Sequence, residues 1–322
     1  MKVYLGVDVG SVSTNIAVVD AAGTVLDTVY LRTHGRPVAA IQQALRQTRE
    51  RNPALAVAGV GTTGSGRHLA GVVLGADSVK NEITAHAVAA MHIVPDVRTV
   101  LEIGGQDSKI IIIRDGVVTD FAMNTVCAAG TGSFLDQQAA RLGIPIEEFG
   151  RRALEGASPV RVAGRCAVFA ESDMIHKQQT GHRIADILSG LCQALVRNYL
   201  NNIGKGKPID SPVVFQGGVA ANAGMRRAFE ETLGCPVVVP DHYGVMGAVG
   251  AALLAREQVD GGPTAFRGFD LVDYRFRTAG FECDGCPNIC EVVEIKLDEQ
   301  VIARWGDRCG KWTNSVQKPS RK

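Results

Sequence analysis

The chain has 322 residues, 46% of them hydrophobic, and a formal net charge of +1. That balance excludes recruitment by bulk charge to nucleic acid or an anionic membrane, and no run approaches the roughly 20 apolar residues of a membrane span. The length suits two domains and a small appendage. The opening Met1-Lys2-Val3-Tyr4-Leu5 enters a strand with no export pattern, which points to a reducing, cytoplasmic compartment. Eight cysteines there read as metal ligands before disulfides.

In chain order, the first feature is a loose internal repeat at an offset of about 94 residues. One copy is an apolar strand ending at Asp8, a turn at Gly10, a second strand through Asp20 and a tight turn at Ala21-Ala22-Gly23. The other runs from Val100 to Ile103, turns at Gly104-Gly105-Gln106-Asp107, and continues from Ser108 to Arg114 and a turn at Asp115-Gly116. Both predict a β-meander. Helical patterns follow each: Val38, Ile41, Ala44 and Thr48 share a face, as Phe134, Gln138 and Leu142 do less cleanly. The expected fold class is α/β, with similar lobes at about 1–95 and 96–258, a nucleotide cleft between them, and a Cys-rich extension over 259–322.

The repeated turns suggest phosphate chemistry. Asp8 ends a strand, and Gly10, Ser11, Val12, Ser13, Thr14 and Asn15 supply backbone N–H groups and side-chain donors for an anion cradle. Asp8 would act on Mg²⁺ through water, because that ion keeps much of its hydration shell. Gly104 and Gly105 form the matching cradle, with Gln106 and Asp107 placed to orient water or metal. Either turn alone is a weak signal; the matched pair is strong. Further on, Pro212 to Gln216 reads as a strand breaking at Gly217-Gly218 into a helix starting near Ala220. Gly217, Gly218, Val219 and Asn222 would there approach a base or ribose. The plain alternative is a strand–helix turn with no ligand. Val237 to Pro240 reads as another strand, and Gly244 to Ala252 as a small-residue helix.

Two cysteines stand apart. Cys127 lies in Asn124-Thr125-Val126-Cys127-Ala128-Ala129-Gly130-Thr131-Gly132, and Cys166 in Gly164-Arg165-Cys166-Ala167, each just before a helical pattern. Thiolates at helix N-termini suit an anionic iron–sulfur cluster. Two are half of the four that a cubane takes, which points to one cluster shared across a two-fold dimer. The alternative is a pair of buried structural thiols.

In their order, Asp8-x-Gly-Ser, Glu102-Ile-Gly-Gly-Gln-Asp107, the Cys127 segment with Ala-Ala-Gly-Thr-Gly132, Cys166-x-x-Phe-x-x-Ser172 and Gly217-Gly-Val-Ala-x-Asn222 resemble the activator ATPases of 2-hydroxyacyl-CoA dehydratases and the ATP-hydrolysing subunits of benzoyl-CoA reductases, over roughly residues 1–256. The resemblance implies the two-lobe actin-like fold shared with acetate and sugar kinases, heat-shock chaperone ATPases and actin. It implies ATP and ADP as ligands with Mg²⁺, and a homodimer holding one [4Fe–4S] cluster through Cys127 and Cys166 of each subunit. It also implies ATP-driven one-electron transfer to a partner dehydratase or reductase, with ferredoxin or flavodoxin as donor. Asp8, Glu102, Gln106 and Asp107 would carry the catalytic roles; Glu102 departs from the Asp common in related folds. A small-molecule kinase or a non-redox ATPase of the same fold is the rival reading, and neither has a use for Cys127 and Cys166.

After Gly261-Gly262-Pro263 the chain reads as a segment outside the two lobes, with a hairpin over Val292 to Leu297 and Val301 to Trp305. Cys283, Cys286, Cys290 and Cys309, spaced C-x2-C-x3-C-x18-C, suit either a zinc knuckle or a second iron–sulfur cluster. Cys192 reads as core and Cys235 as an inert strand-entry thiol. His176 and Lys177 read as a solvated helix face, and Lys318 to Lys322 as a disordered tail.

Overall fold

The computed structural model describes residues 1–313; the tail 318–322 lies outside the described residues. Strands β1 (Lys2–Val9), β2 (Ser13–Asp20) and β3 (Val25–Arg32) form an antiparallel meander. β1 and β2 are near-continuous apolar runs because both of their faces are covered. Helix α1 (Pro37–Arg51) opens on Pro37, whose fixed φ and missing N–H suit a first helical turn, and buries Ala40, Ile41, Ala44, Leu45 and Thr48. It leads to β4 (Ala56–Thr63), parallel to β1, and then to α2 (Arg67–Leu74) and β5 (Ser78–Val79), parallel to β4.

The same order returns after α3 (Glu82–Ile93). Strands β6 (Thr99–Ile103), β7 (Ser108–Arg114) and β8 (Val117–Asn124) make a second antiparallel meander. A long excursion follows, carrying α4 (Gly132–Arg141), α5 (Ile146–Leu154), α6 (Ala167–Gln179) and α7 (Ile184–Asn202). The chain then re-enters the sheet at β9 (Val213–Gln216), parallel to β6, and after α8 (Ala223–Leu233) adds β10 (Val237–Val238). The sheet orders, β3-β2-β1-β4-β5 and β8-β7-β6-β9-β10, are one topology used twice. The repeat seen in the sequence is thus a repeat of fold. Tyr199, Phe229 and Phe215 anchor the second core edge-to-face, with ring centroids 5.4 and 5.1 Å apart.

Helix α9 (Met246–Val259) begins two residues later than the small-residue pattern suggests, after a 3-10 turn over Tyr243–Val245. By contacts the chain divides into two compact units, residues 1–81 with those from Ala251 onward, and Glu82–Gly250. These limits differ from the contiguous segments drawn from the sequence, because the chain returns to its first unit through α9. The region after Gly261 is also not separate from the first unit. Strands β11 (Phe276–Glu282), β12 (Glu291–Leu297) and β13 (Gln300–Trp305) form an antiparallel sheet, of which the sequence reading found only the last two. Leu271, Val272 and Ile295 are buried in the same core as Ile41 and Leu45, and Gln42 donates to the carbonyls of Leu271 and Tyr274 at 2.9 Å. The apolar face of α1 needs this cover.

Candidate functional site

In the first unit, the turn between β1 and β2 is fixed by its own backbone. Gly10 N–H donates to Ser13 O at 2.8 Å, and the Thr33 hydroxyl donates to Gly10 O at 3.1 Å. Asp8 pairs in register with Thr63 of β4. Gly64, at φ +88°, lies so close that a Cβ would stand 2.5 Å from Asp8 Oδ1 and 2.4 Å from Val9 O. Only glycine lets the two strand ends meet there. Ser11 is exposed, and Val12 and Ser13 are half-buried. Thr14 and Asn15 are buried, and the Thr14 hydroxyl is bonded to that of Thr33 at 3.0 Å.

In the second unit, the Gly104–Asp107 turn closes through Gly104 N–H to Asp107 O at 3.0 Å and leaves Gln106 exposed. Lys109, which the sequence reading passed over, lies at the centre of the charge here. Its buried Nζ is 2.9 Å from Glu82, 3.0 Å from Glu102 and 2.8 Å from Asp107. Burial alone would depress the ammonium, but the three carboxylates hold it well above its ordinary pKa. One cation cannot offset three carboxylates. Burial, together with the charges of Asp107 and Glu82, pushes the Glu102 pKa to about 7 despite the ion pair. The surplus negative charge suits Mg²⁺, and Asp107, with 34% of its side chain exposed, is the carboxylate best placed to meet it. Burial and the Lys109 charge push His86 down to about 3. Its Nδ1 lies 2.8 Å from Gln216 Nε2 and accepts from that amide. A lysine inside the run Ser108-Lys109-Ile110-Ile111-Ile112-Ile113 was the available signal, since a central strand has no solvent for it.

Gly217, at φ +89°, passes Glu102 so closely that a Cβ would stand 2.7 Å from its Oε1. Gly218 is exposed, and Val219 is buried against the Gly132 region. Asn222 is the N-cap of α8, its Oδ1 accepting from Met225 N–H at 3.1 Å. The helix therefore starts at Ala223, three residues later than the sequence pattern suggests.

Cys127 and Cys166 are brought together. Cys127 Sγ lies 3.8 Å from the carbonyl oxygen of Arg165, the residue before Cys166. Cys127 precedes a 3-10 turn and Cys166 is the N-cap of α6; both are half-buried and neither is in a disulfide. Asn124 clasps the first loop, accepting from Cys127 N–H at 2.9 Å and donating to Cys127 O at 2.8 Å. Asn198 of α7 serves both loops: it donates to Gly164 O, and a Cβ on Gly130 would stand 2.7 Å from its Oδ1. The loop also reaches the Gly104–Asp107 turn, because Gly132 N–H donates to Gly104 O and Ser133 N–H to Gly105 O, both at 2.9 Å. Around the thiols Val126, Val168 and Phe169 are 94%, 68% and 66% exposed. Two thiols on adjoining loops fit half a cubane, and the exposed apolar side chains fit a face that another chain covers.

Cys192 is core, its pKa pushed up to about 12 by burial. Cys283 N–H donates to Cys290 O at 2.9 Å, placing two of the last four cysteines on one turn. Among the described residues, however, no three His, Cys, Asp or Glu side chains stand together as a ligand set.

The sequence pattern of the BadF/BadG/BcrA/BcrD ATPase family matches residues 5–255. The chain belongs to this family. The (R)-2-hydroxyglutaryl-CoA dehydratase activating ATPase of Acidaminococcus fermentans is 35% identical over 264 residues, 79% of this chain and 98% of that protein. Among solved structures, component A of the Acidaminococcus fermentans (R)-2-hydroxyglutaryl-CoA dehydratase matches with a TM-score of 0.73 at 32% identity, covering 81% of this chain and all of that one. The Clostridium difficile activator of 2-hydroxyisocaproyl-CoA dehydratase with bound ADPNP matches with a TM-score of 0.72 at 29% identity, covering 80% and 96%. Fold class and family are those expected from the sequence, and as a family ATPase the chain carries the paired Gly-rich turns on one topology used twice.

Proposed function

We propose that this ATPase uses nucleotide hydrolysis to deliver single electrons to a partner 2-hydroxyacyl-CoA dehydratase, or to a related low-potential reductase of the benzoyl-CoA type. Asp8 in the first unit and Asp107 in the second would each act on Mg²⁺ through water, Gln106 would orient the attacking water, and Lys109, paired with Glu102, fixes Asp107. Gly10–Asn15 of the first unit, and Gly104, Gly105 and Gly217–Val219 of the second, are the segments that would contact the nucleotide. Cys127 and Cys166, with their counterparts in a second copy of the chain, would hold a [4Fe–4S] cluster, which supplies a one-electron carrier. A ferredoxin or flavodoxin is the expected donor. The observation that carries this reading is the pair of bonds from Gly132 and Ser133 to the Gly104–Gly105 turn. Through them, a change at the phosphate turn acts on the start of α4, five residues from Cys127.

Anaerobic purification followed by metal and sulfide analysis tests the proposal. The expected result is about four irons per two chains with absorbance near roughly 400 nm, lost in Cys127→Ser and in Cys166→Ser while nucleotide binding survives. An unchanged iron content in either variant would overturn the shared cluster. The Cys283, Cys286, Cys290 and Cys309 quartet is proposed to close around a metal only when one is supplied. About one zinc or about four further irons per chain would identify it, and neither would withdraw the site.

A further inference from the structure

The second unit has a cavity of about 920 Å³ that none of these roles uses. Its walls are the loop before Cys166, one face of α6 and the C-terminal end of α7. Arg161, Arg165, Lys177, Arg197 and Lys205 converge on it, and among the described residues none of the five is in an ion pair. The one carboxylate in the wall, Asp173, is engaged in accepting from Ala163 N–H at 2.8 Å. Burial, and then the charge of Arg161, hold Arg197 below its ordinary pKa, as expected of cations gathered without a counterion. Arg197 is fixed in place by donating to Val162 O at 2.8 Å. The carboxamide of Asn201 adds a neutral donor in the wall, while that of Asn202 donates to Asn198 Oδ1 at 2.9 Å.

We propose that this cavity binds a phosphate-rich anion of nucleotide size, a diphosphate or the 3′-phosphorylated nucleotide end of a coenzyme thioester, distinct from the nucleotide handled by the Gly-rich turns. Fork-shaped guanidiniums at a concave wall recognise phosphoryl oxygens in pairs, which a flat acidic protein surface would not exploit. The volume far exceeds that of a single phosphate ion, and pockets of about 300–1,000 Å³ are those that enclose whole small molecules. The position has a consequence. Gly164 and Arg165 line the cavity and adjoin Cys166, while Cys127 Sγ touches the Arg165 carbonyl. A bound polyanion therefore lies against both thiol loops.

The test keeps the protein saturated with ADP and Mg²⁺ and titrates inorganic pyrophosphate in one arm and coenzyme A in the other, by calorimetry. The expected result is one site per chain for at least one of the two probes, weakened by added salt and at least about tenfold weaker in the Arg161→Glu/Lys205→Glu double variant. Both residues are exposed and, among the described residues, neither side chain is in an ion pair, so the fold and the ADP affinity of the variant should be unchanged. The tighter probe names the source of the phosphate. If neither probe binds the wild-type chain, or the double variant binds them equally well, the inference fails, whether or not a cluster is present.

Discussion

Lys109 sets the character of the Gly104–Asp107 turn, and its neighbours titrate in opposite senses. His86 has a pKa of about 3 in the folded chain against 6.5 when free, so its neutral form contributes stability that is full above pH 6.5 and lost as the pH falls. Glu102, at about 7 against 4.5, contributes stability that is full below pH 4.5 and lost as the pH rises to 7. Between pH 4.5 and 6.5 the two slopes oppose each other. Glu102→Gln removes one of them, so the variant should gain about 1.4 kcal/mol of stability relative to wild type per pH unit across that range. Urea unfolding at three pH values measures this, and a constant difference would mean that Glu102 is ionised throughout. At the same turn, Asp107→Ala should lower ATP hydrolysis by about 10²-fold or more, the loss typical of removing a group that positions charge in the transition state. Iron content should stay as in wild type, and normal turnover would remove Asp107 from the catalytic set. The sequence made Asp107 legible through its Gly-Gly-Gln-Asp spacing. It hid Glu82, which lies 27 residues before Lys109 and meets it only once α3 packs on β7.

Among the elements, α4 links the thiol loop to the Gly104–Asp107 turn. In Gly132→Ala the new methyl would stand 2.9 Å from Gly104 O and 3.0 Å from the Val219 side chain, so the helix start must shift away from the turn. We expect nucleotide to slow amide exchange over residues 127–133 in wild type but not in the variant, while ATP hydrolysis persists. Retention of that slowing in the variant would mean the two bonds do not carry the linkage. A second element-scale expectation reverses the picture of an independent appendage. Removing everything after residue 261 uncovers the partners of Leu271, Val272 and Ile295, worth roughly 5–9 kcal/mol of apolar burial. Against a total stability of about 5–15 kcal/mol, the first unit should unfold or melt far below the intact chain, as calorimetry would report. Equal melting would show that α1 needs no cover. This dependence was not legible in the sequence, because α1 shows an apolar face but not which segment lies on it. The alternation in β11 is also weak, four of its seven residues in a row being exposed.

For the whole molecule, the legible part was what period and punctuation encode: ten strands, two meanders and two Gly-rich turns at matching places. The cavity cations were not legible, since they are spread from Arg161 to Lys205 and each alone looks like a solvated side chain. His176 and Lys177 were read that way, and His176 is indeed exposed, but the reading did not show that both line the cavity. The placement of the excursion between β8 and β9 has a further consequence. Both thiols, Asn198 and the cavity ride on a stretch that leaves the sheet after Asn124 and rejoins it at Val213, where the first unit crosses with α1 alone. The excursion also covers the second sheet, because Phe134, Leu191 and Tyr199 share one core with Leu101, Ile110 and Phe215. The proposed redox chemistry would thus ride on the same insertion that completes the second unit's core. Changes confined to the two thiol loops could exchange the ligands, whereas rewriting the helices beneath them would take Phe134, Leu191 and Tyr199 from under the second sheet.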